Sequence, residues 1–325
     1  MHRYIILSLV FLGFTLTSCG DDKPNKRYVS DSSGNINQLS VVIDNDKWNG
    51  ELGELIRDYF AADYKGLPQQ EPHFTLKQIP PKVFTGFARK NRLFVKIEET
   101  QKPMVTKVVD SFARPQIGYV LSAQNKDDFK SLLDEKSKQI IAEFQQTEIK
   151  ERQRRIKKST LDTSPVTEVF DISIDLPTAY RYAKTEDNFI WMRKDIKHGG
   201  MEIMVYKVPK KTIEANDAIL ENIITMRDSI GKAYIPGPTE KSHMSTEQAY
   251  APYLFETKID KHFAYEIKGT WEVKGFFMGG PFLTYAVELD DSYLILEGFV
   301  FKPSSSKRNQ MIEIEAILRS TRFKN

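Results

Sequence analysis

A chain of 325 residues with one cysteine, Cys19, cannot form an internal disulfide, so whatever fold it adopts must be held by core burial. The position of that cysteine is as informative as its solitude. It lies just beyond an apolar run from Ile5 to Phe14, which follows the positive opening Met1-His2-Arg3-Tyr4. Positive start, short apolar stretch and small residues form the pattern of an export signal. A membrane-crossing helix needs roughly 20 apolar residues to cover about 30 Å of hydrocarbon. Here Thr17, Ser18 and Asp21 end the run too early, and residues 1–18 read as a signal peptide.

The tetrapeptide Leu16-Thr17-Ser18-Cys19 resembles the bacterial lipobox. That resemblance implies a diacylated Cys19 at the new N-terminus, so the expected lipid attachment site is Cys19 and the expected partner is a membrane. One acyl chain holds a protein only marginally, at ~0.8 kcal/mol per buried CH₂, whereas two or three (palmitate and its like) anchor it durably. Gly20 stands where inner-membrane retention would imply aspartate, and Asp21-Asp22 is similar to the acidic tract of surface-exported lipoproteins. Outer-membrane delivery in the cell envelope, on the periplasmic or the surface face, is the expectation. Residues 19–38 are polar and without apolar period, and read as a lipidated flexible tether.

Beyond the tether, 40 % hydrophobic and 11 % aromatic content is enough for a sizeable core. Loss of Arg3 with the signal leaves 46 basic residues against 44 acidic ones. That near balance, with no basic face standing out, excludes nucleic acid as a partner.

Apolar periodicity divides the remainder into two α+β domains, residues 39–160 and 161–325. Leu39–Ile43 reads as a strand, Glu51–Tyr64 as a helix, Phe74–Ile79 and Leu93–Ile97 as strands, Met104–Phe112 as a helix and Gln116–Ser122 as a strand. That order, β-α-β-β-α-β, predicts a ferredoxin-like unit with helices on one face of an antiparallel sheet. A long helix over Asp127–Ser159 follows; its first half carries an apolar stripe and its second half is charged almost all round, which predicts a solvated end. Thr160–Pro165 breaks it. The second domain reads as a strand over Val169–Leu176, a hairpin through His198-Gly199-Gly200, a helix over Ala218–Ile230, four strands between Tyr253 and Phe301, and a closing helix over Asn309–Arg319. A mostly antiparallel sheet of about six or seven strands with helices packed on it accounts for these elements.

The strings Asp171-Ile172-Ser173-Ile174-Asp175-Leu176-Pro177, Arg193-Lys194 and Ile317-Leu318-Arg319-Ser320-Thr321-Arg322-Phe323 are similar to the Mog1/PsbP type of α/β/α sandwich over about half the chain. The whole chain also resembles uncharacterised Gram-negative lipoproteins that share a domain of unknown function. Neither resemblance implies an activity.

Motifs for chemistry are absent from the sequence. His73, His198, His243 and His262 lack the close spacing of a zinc pair, and no Gly-x-Ser-x-Gly elbow accompanies the loop at His198. Gly279-Gly280-Pro281 lacks the lysine of a phosphate loop and reads as a turn. Asp44-Asn45-Asp46 starts like a calcium loop but places Trp48 and Leu55 at ligand positions, so a turn followed by a helix capped at Asn49 is expected. No catalytic, cofactor or metal residue is therefore assigned. Aromatic residues crowd the stretch from Tyr234 to Phe301, and Phe276-Phe277-Met278 at a loop tip is the candidate partner surface. The resulting expectation is a membrane-anchored envelope lipoprotein that acts as a non-enzymatic binding or interaction module for an envelope protein or ligand. Its alternative is a hydrolase of an envelope polymer, which would need two carboxylates, or a histidine and a hydroxyl, converging in a cleft.

Overall fold

The structure, a computed structural model, describes residues 29–324. The expected signal peptide and the expected lipid site at Cys19 lie outside the described residues. The N-terminal half builds a mixed sheet from β1 (Gln38–Val42), β2 (Thr75–Ile79), β3 (Leu93–Glu99), β4 (Met104–Val109) and β5 (Ile117–Ala123), ordered β2-β1-β3-β5-β4. All neighbours run parallel except β4, which lies antiparallel on β5. Two short helical segments, α1 (Asn45–Asn49) and α2 (Glu51–Phe60), link β1 to β2. Leu39 and Val41, Leu93 and Val95, and Tyr119 and Leu121 turn one face of the sheet toward Ile56 and Phe60 of α2. Phe129, Leu133, Ile140 and Phe144 of α3 (Lys126–Ile156) complete that core. Asn125 starts α3 by accepting a hydrogen bond from the Asp128 amide at 3.0 Å.

The α+β class stands, and one element changes type. Met104–Val109 is a strand rather than the helix expected over Met104–Phe112, so the N-terminal sheet is mixed and not the antiparallel sheet of a ferredoxin-like unit. Val105, Thr106, Val108 and Val109 are β-branched, which favours the pleated edge they occupy. Because that edge is exposed, the segment shows no burial period from which a strand could be read. Asn49 ends α1 and caps nothing; the residue before α2 is Gly50, with no side-chain cap bond. The tether expectation also shortens, since Ser32 and Ser33 donate their amides to the Arg114 and Lys90 carbonyls and Asn37 is buried.

The C-terminal half opens with α4 (Ser164–Phe170) where the expected strand over Val169–Leu176 would begin; Asp171 closes that helix in the left-handed region at φ 62°. Only β6 (Ile172–Ser173) pairs, with β15 (Arg322–Phe323). The main sheet comprises β7 (Arg181–Glu186), β8 (Phe189–Ile196), β9 (Gly199–Pro209), β10 (Met244–Thr246), β11 (Tyr253–Ile259), β12 (His262–Val273), β13 (Gly279–Glu288) and β14 (Ser292–Phe301). Its order is β10-β12-β13-β14-β9-β8-β7, antiparallel throughout, with β11 sharing the outer edge of β12 with β10. Gly279-Gly280-Pro281 belongs to β13 and is not the expected turn, which falls at Gly275, where φ is +83°. Gly280 has no room for a side chain, because a Cβ there would sit 2.0 Å from the Val300 carbonyl oxygen.

Both faces of this sheet are covered. Met201, Ile203 and Val205 of β9 and Leu294, Leu296 and Val300 of β14 face α4, the end of α3 and α7 (Arg308–Leu318). The alternate residues Met204, Tyr206, Ile295 and Phe299 face α5 (Lys210–Ile213) and α6 (Ile219–Tyr234). Period-two alternation with apolar residues in both phases is what a strand covered on both sides requires.

The charged second half of α3 is solvated on one side only, with Lys150 and Arg154 exposed. Glu148 and Glu151 are buried there, and Arg92 donates to Glu148 at 2.5 and 3.1 Å. Arg154 and Arg155 each reach Glu151 at 2.7 Å. Further along, Glu313 of α7 receives both Arg152 and Lys194. Of these contacts, that of Arg152 with Glu313 joins the two halves, while Arg92 ties α3 to its own half.

Candidate functional site

A cleft of about 420 Å³ opens at the edge of the main sheet, within the size range of small-molecule sites. The β12–β13 hairpin forms one wall through Phe276, Phe277 and Met278, and Trp271 and Phe301 reach it from β12 and β14. Pro68 and Gln69, from the N-terminal half, and Tyr250 complete it. Trp271 is held rigidly: its indole N–H donates to the Val300 carbonyl at 3.2 Å, and Phe299 packs edge-on at 5.2 Å between ring centres.

The sequence-nominated triplet divides in the structure. Phe277 is fully exposed and Phe276 is 39 % exposed, whereas Met278 is half-buried against the core under α6. Apolar side chains left in water on a tight hairpin gain nothing from packing there. They form part of a wider apolar surface, since Tyr250, Tyr253, Leu254 and Phe255 are exposed in the same region of the sheet edge. A second opening of about 440 Å³ shares Pro68, Gln69, Tyr250 and Thr270 with the first.

Two carboxyl groups meet at this cleft. Glu247 follows β10 and fastens to β12 through its amide, which donates to the Thr270 carbonyl at 2.9 Å; Glu272 lies opposite Ser245 in the β10–β12 register. Burial, and then the hydrogen-bonded Glu247 carboxyl, push the Glu272 carboxyl above its ordinary range. Across the cleft, burial pulls the Lys307 ammonium down, opposed by Glu71, while its Nζ donates to the Ser305 carbonyl at 2.8 Å. Sequence reasoning missed this carboxyl pair because its members are 25 positions apart and meet only through a three-residue strand, β10, that has no pattern of its own.

The histidines do not converge. His198 sits exposed on the β8–β9 turn in the left-handed region, His262 packs on Phe323, and His73 faces Gln145 at 3.0 Å. His243 makes an isolated bridge with Pro236. Among the described residues no group of three or more His, Cys, Asp or Glu side chains is placed to hold a metal ion. No helix among them is long and apolar enough to cross a membrane.

Residues 159–320 match a domain of unknown function, DUF4837. Residues 32–157 match a second one, DUF8532, so two families divide the chain where α3 ends. No curated protein matches the sequence. Among solved structures, the cyanobacterial PsbP of Synechocystis sp. PCC 6803 is similar at 6 % identity and a TM-score of 0.33, over 50 % of this chain and 89 % of that one. LpqN of Mycobacterium tuberculosis, described as involved in cell envelope biogenesis, is similar at 10 % identity and a TM-score of 0.27, over 46 % and 81 %. A protein of Bacteroides thetaiotaomicron is similar at 10 % identity and a TM-score of 0.28; this chain spans 46 % of its length, and the match takes up 48 % of this chain.

Proposed function

We propose that the protein is an envelope lipoprotein, held to the outer membrane by lipid on Cys19, whose C-terminal half binds a saccharide-bearing envelope ligand in the cleft beside Phe276 and Phe277 without transforming it. The observation that carries this reading is the composition of the cleft: aromatic walls for the apolar face of a sugar ring, with the Glu247–Glu272 carboxyl pair positioned to accept its hydroxyls. The buried Trp271 floor supplies the fixed shape on which orientation depends.

The carboxyl pair also gives a specific reason to weigh the hydrolase alternative. Glycosidases separate their two carboxyl groups by about 5–5.5 Å or about 6.5–9.5 Å, leaving space for the glycosidic bond or a water. Burial and the adjacent Glu247 carboxyl hold the Glu272 carboxyl above its ordinary range, and a pair coupled this closely favours recognition over hydrolysis.

Binding is tested by the fluorescence of Trp271 during titration with soluble muropeptides and with lipopolysaccharide core oligosaccharide. Saturable change in the native chain, lost in the Phe276→Ser/Phe277→Ser variant, is expected for one of them; silence with both refutes the reading. Release of reducing ends that disappears in Glu247→Gln would replace it with the hydrolase. Anchoring is tested separately by palmitate labelling in growing cells, which Cys19→Ala is expected to abolish along with membrane association.

A further inference from the structure

The main sheet has two edges, and they are finished differently. At β7 the pairing with β8 shifts register between Tyr182 and Lys184, and Arg181, Lys184 and Glu186 project from it. A bulge and charges of this kind keep an edge from pairing further. At the other end β11 pairs with β12 over seven consecutive residues without a shift, and among the described residues no strand pairs its outer side. Tyr253, Leu254 and Phe255 on it are 43 %, 37 % and 40 % exposed, three large apolar residues in succession on an open edge.

We infer that β11 is a self-association edge, which pairs antiparallel with β11 of a second copy of this chain. The occupant follows from the order of charges in Tyr253-Leu254-Phe255-Glu256-Thr257-Lys258-Ile259. A two-fold axis perpendicular to the sheet and centred on Thr257 sets Glu256 opposite Lys258 of the second copy, and Lys258 opposite its Glu256. The same register sets Phe255 opposite Ile259 on both sides and Thr257 opposite its own counterpart. The neighbouring symmetric registers fail on electrostatic grounds: centring on Glu256 opposes two glutamates, and centring on Lys258 opposes two lysines. Directly opposed unlike charges stabilise an antiparallel pair and like charges destabilise it. The register centred on Thr257 is the one that opposes unlike charges twice, and in it the eight-stranded sheet continues across the axis into its copy. This inference does not depend on what occupies the cleft.

The register supplies its own probe, because Cβ atoms of opposed residues lie about 4.5–5.5 Å apart. Full-length protein in detergent, carrying Thr257→Cys, is oxidised and run without reductant, with the native chain setting the background from Cys19. A disulfide-linked dimer is expected for Thr257→Cys and not for Leu254→Cys, whose counterpart across the axis would be Asp260. Adding Glu256→Lys, which opposes lysine to lysine twice, is expected to lower the yield roughly fivefold or more. Adding the exchange Glu256→Lys with Lys258→Glu is expected to restore it. Unchanged thermal unfolding of each variant shows that the fold is intact. Equal cross-linking at 254 and 257, a yield indifferent to Glu256→Lys, or no dimer at all overturns the inference.

Discussion

Glu202 is a carboxyl group on the covered side of β9, 7 % exposed, that accepts the Trp191 indole N–H at 2.9 Å and has Arg193 only at 4.0 Å. Burial pushes its pKa up to about 7, against the hydrogen bond from Trp191 and the charge of Arg193. Because the folded chain holds this proton more tightly than an unfolded one, the group's contribution is full below its ordinary value of 4.5 and is lost as pH rises through about 7. Glu202→Gln keeps an acceptor for Trp191 and removes that loss. It is expected to be stabilising by up to about 3 kcal/mol at pH 8 and close to neutral at pH 4, in urea unfolding at the two pH values. Phe277 tests the opposite kind of residue: fully exposed, it is expected to be replaceable by serine within about 0.5 kcal/mol, so lost binding in that variant would report on the site and not on the fold. Phe276-Phe277-Met278 was legible in sequence as an apolar triplet beside Gly275, whereas Glu247 and Glu272 were not, since a pairing made by strand register leaves no local trace.

Helices show the same division between local and distant causes. The helix expected over Ala218–Ile230 could be read from apolar spacing because α6, Ile219–Tyr234, packs on one sheet face. The start of α7 was legible to within one residue, as the helix expected over Asn309–Arg319, but its cap had no local signal. Lys307 makes no side-chain cap bond there, and the cap comes from Glu71 of the other half, which accepts the Lys307 amide at 2.6 Å and the Arg308 amide at 3.0 Å. A carboxylate on two free helix amides satisfies donors and the helix dipole together. Glu71→Ala is expected to cost about 1–2 kcal/mol, measured by urea unfolding, without changing the cleft aromatics. The second half of α3 misled for a related reason: its charge pattern is that of a surface, and its pairing partners, Arg92 beside β3 and Glu313 of α7, come from elsewhere in the chain. Arg92→Met leaves Glu148 buried without its partner and is expected to cost about 3–5 kcal/mol, with much of it recovered in Arg92→Met/Glu148→Met.

At the scale of the molecule, buried polar contacts join the two halves. Besides the contacts of Arg152 with Glu313 and of Glu71 with the start of α7, Tyr64 from the N-terminal half joins Glu315, Lys268, Glu266 and Arg319 in a buried network around α7. Burial alone would push the Glu315 carboxyl up, yet Lys268 and Arg319 bring it below the ordinary carboxylate range. An interface of this kind couples the halves, and calorimetry on the full chain is expected to show one unfolding transition in which Arg92→Met lowers both halves together. Fold class and most strands were legible because the core obeys period two and period 3.6; the interface was not, because buried polar networks are assembled from distant residues. The measurement closest to the central claim is calorimetric titration of the full chain with soluble muropeptides and lipopolysaccharide core oligosaccharide, native protein beside Phe276→Ser/Phe277→Ser. Saturable binding of one saccharide by the native chain and at least roughly tenfold weaker binding by the variant are expected, with both equally stable. Binding of neither saccharide, or equal binding by native chain and variant, contradicts it.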